Sequence, residues 1–435
     1  MAGTAAPGPE ALTAALADCE AAYRRRNPRS AELAAAAAEV MPGGNTRISL
    51  WFDPFPLYMV LGAGARLRDA DGHDYVDFLG EFTSGIAGHS PEPLKRAIRE
   101  ALERGVNLSA HNELEAELAR EIAARIPSMA QIRFTNSGTE ANLMSIMAAR
   151  FHTGRDGVLA FAGSYHGAGL TIGAAPTRGN LPFDLVIGPY NDLPAAQALA
   201  ESHRGKLACI IVEPMQGARG CVPGDPDFLR GLSRIAEASG ALLIFDEVQT
   251  SRLAIGGRQS LVGVKPDLTT IGKFYGGGLA FGAFGGRADV MAMFDPRRQG
   301  GLPHSGTFNN NTLTMSAALA AVREVLTAEA LDALNNRGDR LHAALAALFV
   351  EMDAPFRVSG LGSLMNIHPT APGDAGEAIR RILHFDLLER GVYTASRGLV
   401  ALSLPLDDDD IAAFLAAVKD CLAARQHLYG QLADA

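Results

Sequence analysis

The chain has 435 residues, 48% of them apolar and 20% charged, so it is long enough for more than one core and too apolar to be disordered over most of its length. A net charge of -9, with no long Lys/Arg run to offset it locally, argues against a nucleic-acid partner. The four cysteines (Cys19, Cys209, Cys221, Cys421) show no CxxC spacing, which speaks against both a zinc site and a disulfide framework. Reduced thiols, no metal and a cytoplasmic location are the expectation. No apolar run reaches the length of a membrane span, and MAGTAAPGPEALTAALADCE does not read as a signal peptide.

Residues 1–40 are alanine-rich and predict two helical pieces interrupted by RRRNPRS, followed by turn chemistry in MPGGNTR (41–47). The stretch from Pro56 to Phe78 alternates and is broken by Gly and DADG, which predicts antiparallel hairpins. Helices are expected at about 91–104 and 112–126. Strand and helix then alternate: strands at 131–137, 157–164, 207–214, 241–247 and 267–273, helices at 138–154 and 227–240. The strands are nearly continuous apolar runs, as in a mostly parallel sheet covered on both faces. A long helix follows from about 312, and the last hundred residues read as α+β. The expected division is 1–75 as an N-terminal segment belonging to a small domain, 76–330 as a large α/β domain, and 331–435 as the rest of the small domain.

The chemistry-bearing residues fall at the ends of those strands, where an open parallel sheet binds its ligands. Asp246 ends the run ALLIF, and Lys273 ends DLTTIG just before a glycine-rich turn. Lysine forms Schiff bases with carbonyl compounds, and an acid on a strand end can hold a positive ring nitrogen. Taken alone, the pair could equally be a surface ion pair. Ser137, Gly138 and Thr139 lie between strand and helix, suited to a phosphate or to a plain N-cap. Tyr165 could stack on a flat ring or sit in the core, and His166 beside it reads as a tautomer-locked histidine rather than a base. Glu213 could meet a ring substituent or hold a neighbour. Ser305-Gly306-Thr307 could be a further phosphate contact or an ordinary loop. No P-loop, GxGxxG fingerprint, GxSxG elbow or HExxH is present, which leaves hydrolase, kinase and zinc chemistry without a motif.

Seven ordered motifs, NSGTEAN (136–142), SYHG (164–167), VEPMQG (212–217), IFDEVQTSR (244–252), TTIGK (269–273), GGRADVM (285–291) and SGTFNNN (305–311), resemble those of class III, fold-type I pyridoxal-phosphate aminotransferases. Within that class the chain is similar to the branch holding glutamate-1-semialdehyde aminomutases, and closer still to aminotransferases for aromatic β-amino acids such as β-phenylalanine. The resemblance implies pyridoxal 5'-phosphate on Lys273, Asp246 at the ring nitrogen and Tyr165 on the ring. It further implies Ser137, Gly138 and Thr139 on the phosphate, and His166, Glu213, Val248 and Gln249 around the ring. Thr307 would come from a partner subunit, so the active site of a homodimer would be shared.

Arg47, in GGNTRISLWF, and Arg397, in TASRGL, stand where carboxylate-binding arginines are expected. Two such forks suit an enzyme that takes a β-amino acid as donor and then a 2-oxo acid such as 2-oxoglutarate or pyruvate, by ping-pong kinetics. A surface Arg397, or an Arg47 paired with a protein carboxylate, is the alternative. Ile48, Leu50, Trp51, Phe55 and Phe82 could line an apolar pocket or belong to the core. An aminomutase, rearranging one substrate without an acceptor, is the alternative activity.

Overall fold

In a computed structural model that describes residues 9–429, the strand–helix alternation after residue 130 forms a seven-stranded sheet. The chain divides into two compact units, one of residues 92–335 and one made from residues up to 91 together with those from 336 onward.

The second unit begins with α1 (Pro9–Arg26) and α2 (Pro28–Ala38), then β1 (Met59–Ala63), β2 (Arg66–Asp69) and β3 (Asp74–Asp77). These three strands form the expected antiparallel hairpins. The expected boundary at 75/76 falls inside β3, which pairs in parallel with a C-terminal strand at Val392–Tyr393, so the first cut lies further on, after Pro91.

The central unit runs through α3 (Glu92–Arg104), α4 (Glu113–Arg125), β4 (Gln131–Thr135), α5 (Gly138–Thr153), β5 (Gly157–Phe161), β6 (Asp184–Gly188), α6 (Leu193–Ser202) and β7 (Leu207–Val212). A short antiparallel pair follows, β8 (Met215–Gln216) with β9 (Val222–Pro223). Then come α7 (Pro226–Ser239), β10 (Leu242–Asp246), α8 (Gly257–Val262), β11 (Leu268–Gly272), β12 (Gly282–Gly286), α9 (Ala288–Met291) and α10 (Thr312–Ala320). Strand order is β4-β12-β11-β10-β7-β5-β6, parallel except for β12, which is antiparallel to both neighbours.

Period-two alternation explains why β5, β7 and β10 are apolar throughout. Val158, Ala160, Cys209, Ile211, Leu242 and Ile244 pack on one face with Ala141, Ile146 and Ala149 of α5. Leu159, Phe161, Ile210, Val212, Leu243 and Phe245 pack on the other with Phe228, Leu229 and Leu232 of α7. Burying a side chain of this size contributes about 1.5–3 kcal/mol each, so neither face tolerates a charge without a partner. Helix ends follow local chemistry. Ser137 caps α5 by accepting from Glu140 N at 3.2 Å, and Gly154 closes that helix at φ 65°.

Helix α11 (Ala328–Glu351) carries the chain across the second division, after Asn335 rather than at the expected 330. Beyond it lie β13 (Phe356–Leu361), β14 (Leu364–Pro369), α12 (Gly373–Glu389), β15 (Val392–Tyr393), β16 (Leu399–Ala401), α13 (Asp408–Ala424) and α14 (Gln426–Tyr429), which give the expected α+β character. All four cysteines are buried and none forms a disulfide. Among the described residues no helix is long and apolar enough to cross a membrane.

Candidate active site

Strands β4, β5, β7, β10 and β11 run in one direction, so the loops leaving them emerge at one edge of the central sheet. Ser137–Thr139 follow β4, Tyr165 and His166 follow β5, and Glu213 follows β7. Asp246 is the last residue of β10, and Lys273 follows β11. Asp246 is in register with Thr270, and Phe245 with Val212. The acid, the lysine and Glu213 thus come to one end of three neighbouring strands. Lys273 adopts φ 54°, a left-handed conformation that is uncommon for a residue with a side chain. Such strain, about 1–3 kcal/mol, persists where the surroundings over-determine a residue, and it gathers at functional sites.

Asp246 is buried and ringed by donors. Its Oδ2 accepts from Asn142 Nδ2 at 2.7 Å and lies 2.8 Å from His166 Nδ1, while Oδ1 accepts from Val248 N at 3.1 Å. His166 Nδ1 is the donor in that pair, since the carboxylate oxygen can only accept. Glu213 accepts Tyr165 N at 2.8 Å and Gly217 N at 3.1 Å, one on each oxygen, which ties together two loops of the edge. Burial pushes its carboxyl up to about 7, with His166 opposing the shift and Asp246 adding to it. Glu247, beside Asp246, is used structurally. It accepts from Thr250 Oγ1 and from the backbone amides of Arg258 and Gln259.

The surroundings fit pyridoxal 5'-phosphate. His166 Nε2, Gln216 Oε1 and Gln249 Oε1 are buried polar atoms with no protein partner, as expected of groups that face a polar ligand. Tyr165 is 46% exposed although its neighbour His166 is buried, so its ring is available for stacking. Ser137 uses a lone pair as the N-cap and keeps its O–H to give, beside the unsatisfied first amides of α5. The cradle is narrow. A Cβ on Gly138 would lie 2.9 Å from Val248 Cγ2, and one on Gly167, at φ 113°, would lie 2.2 Å from Thr139 Oγ1. Thr307 lies in an exposed turn whose Asn309 accepts from Asn136 Nδ2 at 2.9 Å.

In the other unit, Arg47 pairs with Glu81, and both side chains are about half exposed. Its guanidinium carbon stands 5.8 Å from the centre of the Phe82 ring, and that of Arg397 stands 5.1 Å from the same ring. Glu81, Phe82 and Thr83 all have positive φ, so this turn is held in an unusual shape. Of the apolar candidates, Phe82 is buried, Phe55 is core beside Tyr23, and Ile48 and Trp51 are exposed.

Sequence reasoning overlooked Asn142 and Thr270. Asn142 is 1% exposed and lies four residues into α5 among Ala141, Ser145 and Ile146. A fully polar amide at a core-facing helical position was the available signal.

A family model described as aminotransferase class-III matches residues 48–422. The chain is 49% identical over 417 residues to a β-phenylalanine transaminase of Variovorax paradoxus, covering 94% of this chain and 96% of that one. The crystal structure of the β-phenylalanine aminotransferase from that organism superposes with a TM-score of 0.93, covering 96% of this chain and 99% of that one. An ω-transaminase from Sphaerobacter thermophilus gives 0.85 at 37% identity, covering 91% and 97%. A transaminase solved with pyridoxal phosphate bound gives 0.86 at 34% identity, covering 92% and 98%. With the strand-end lysine and acid in place, this chain belongs to the class III aminotransferases of fold-type I, enzymes that work through pyridoxal 5'-phosphate.

Proposed function

We propose that this enzyme takes the amino group from a β-amino acid, with an aromatic side chain of the β-phenylalanine kind, and gives it to a 2-oxo acid such as 2-oxoglutarate or pyruvate. The observation that carries the donor class is the 49% identity, over nearly the whole chain, to a relative named for β-phenylalanine. The two arginines near Phe82 support it, since each can fork a carboxylate and both stand close to one aromatic ring.

Bound at the strand edge, the cofactor supplies an electron sink for the carbon that carries nitrogen. Lys273 Nζ would hold the cofactor covalently and, once its amine is free, would be the group that takes up and returns the proton of the donor carbon. Asp246 would hold the positive ring nitrogen, Tyr165 would stack on the ring, and Val248 and Gln249 would pack against it. His166 and Glu213 keep Asp246 and the Tyr165 loop in place. Ser137, Gly138 and Thr139 bind the phosphate, joined by Thr307 of a second copy in a homodimer. Arg47 and Arg397 bind substrate carboxylates.

A donor screen tests the reading, pairing 3-amino acids, 2-amino acids and plain amines with pyruvate and 2-oxoglutarate. The highest kcat/KM is expected for an aromatic 3-amino acid, with a 3-oxo acid as product and an absolute need for the acceptor. Turnover of a single substrate without added acceptor would point to intramolecular transfer and displace the proposal.

A further inference from the structure

One buried side chain on α5 is bonded to three other segments of the site: β10, β11 and the loop after β5. Asn142 lies on α5, one turn after Gly138 and Thr139. Its Nδ2 donates to Asp246 Oδ2 at 2.7 Å on β10 and to the carbonyl of His166 at 3.1 Å in the loop after β5. Its Oδ1 accepts from Thr270 Oγ1 at 2.6 Å on β11, three residues before Lys273. Asn142 and Thr270 are 1% and 0% exposed, so bulk water does not substitute for these bonds.

The amide can sit only one way round. Turned over, its oxygen would face Asp246 Oδ2 and the carbonyl of His166, and both are acceptors. Those two acceptors set the polarity, and the Thr270 hydroxyl satisfies the remaining atom by giving its proton to Oδ1, which pins the amide from its other side. The consequence reaches Asp246. Oδ2 takes Asn142 and His166, while Oδ1 takes only Val248 N at 3.1 Å. Oδ1 is the oxygen with capacity left for a positive ring nitrogen. With two donors on its partner oxygen, the carboxylate cannot rotate to exchange the two.

We propose that Thr270 and Asn142 form a positioning relay for this aminotransferase. Thr270 anchors the Asn142 oxygen, and Asn142 fixes both the oxygen that Asp246 presents and its distance from the phosphate-binding end of α5. Neither residue touches the substrate. The inference rests on the role proposed above for Asp246, and it adds that the acid works only as well as this amide aims it.

The test uses holoenzyme of the wild type, Thr270→Val, Thr270→Ser and Asn142→Ala. Valine has nearly the shape of threonine but has no proton to give, so the buried Asn142 Oδ1 loses its donor and the amide its anchor, with little change in packing. Thr270→Val and Asn142→Ala should lower kcat by about 10- to 100-fold, the range that outer partners of a reactive centre carry, and weaken pyridoxal phosphate binding to the apoenzyme by about tenfold. KM for the donor should change by less than about threefold, since the lost interaction matters in the transition state.

The pH midpoint of the bound cofactor's visible band should rise by about half a unit or more, because a less firmly held positive ring nitrogen opposes a second proton less. Thr270→Ser should recover most of both effects. If Asn142→Ala does not fold, Thr270→Val decides alone. Wild-type kcat and an unmoved midpoint in Thr270→Val would overturn the relay, as would a serine variant no better than valine. A wild-type chain that forms no visible band with pyridoxal phosphate would overturn the role of Asp246, and the relay with it. Unchanged variants on a coloured wild type overturn the relay alone.

Discussion

Asp246 and Lys273 leave the same edge of two adjacent parallel strands, and the in-register partner of Asp246 is Thr270, three residues before the lysine. A chemical bond formed at the lysine and a charge held at the acid can therefore act on one planar group. Removing the amine should end catalysis. Lys273→Ala is expected to lower kcat by at least about 1,000-fold and to abolish the visible band of the bound cofactor. A kcat within about tenfold of the wild type in that variant would remove the lysine from its role.

Asp246→Asn keeps the shape and loses the charge. An amide also cannot accept from all three donors that surround this position. We expect kcat to fall by roughly 100-fold or more, with cofactor affinity reduced less, as for other electrostatic groups aimed at developing charge. An unchanged kcat would refute the electron-sink role of the acid.

The phosphate-binding turn should be sensitive to a single methyl group. Gly138→Ala puts a Cβ 2.9 Å from Val248 Cγ2, and Val248 is the residue whose amide reaches Asp246. Overpacking of this kind costs about 1–3 kcal/mol, and here it should appear as weaker cofactor binding by titration of the apoenzyme. Val248→Ala in the same chain should recover part of the loss. No recovery would mean that the methyl group acts elsewhere.

The arginine variants separate substrate binding from structure. If Arg47 and Arg397 each fork a carboxylate, their replacement by alanine should lower kcat/KM for carboxylated donors or acceptors by about 10- to 100-fold and leave plain amines nearly unaffected. Arg47 is already paired with Glu81, so a substrate carboxylate at that position has to compete with a protein one. Equal losses for acids and amines would assign Arg47 to the Glu81 pair alone.

What could be read from the sequence followed from how strongly each element advertises itself. β7 and β10 are unbroken apolar runs that stop at an acid, Glu213 and Asp246, and the acid at the stop is the one at the site. β12 was invisible for the opposite reason. Its sequence is GAFGG, and a Cβ at Gly282 would lie 2.1 Å from Ser137 O, and one at Gly286 2.1 Å from Asp267 O. Close backbone approach selects glycine there, and glycine carries no strand signal.

β6 and α6 were missed too. Asp184–Gly188 is a short run in a loop-like stretch, and Leu193–Ser202 has its start set by the cap on Asp192. Asn142 falls at the end of NSGTEAN (136–142), yet its role depends on residues 104 and 128 positions away, which no local pattern reveals.

His384 offers a test of stability that does not involve the site. It is buried on α12, neither ring nitrogen has a hydrogen-bond partner, and its ring stands edge-on to Phe52 at 4.9 Å. Burial, with Arg380 and Arg381 adding to it, pushes the imidazole down to about 3. The unfolded chain takes up a proton near the ordinary value of 6.5 and the folded chain does not, so stability is complete above about 6.5 and is lost as pH falls toward 3. Between pH 7.5 and pH 5 the loss should be about 2 kcal/mol, from 1.36 kcal/mol per pH unit below the unfolded value. His384→Leu should remove that part of the acid limb and, by deleting an unsatisfied buried polar group, raise the urea midpoint at neutral pH. The measurement is the urea midpoint of both proteins at pH 5, 6 and 7.5. Parallel acid limbs in the two would show that His384 takes no part in acid sensitivity.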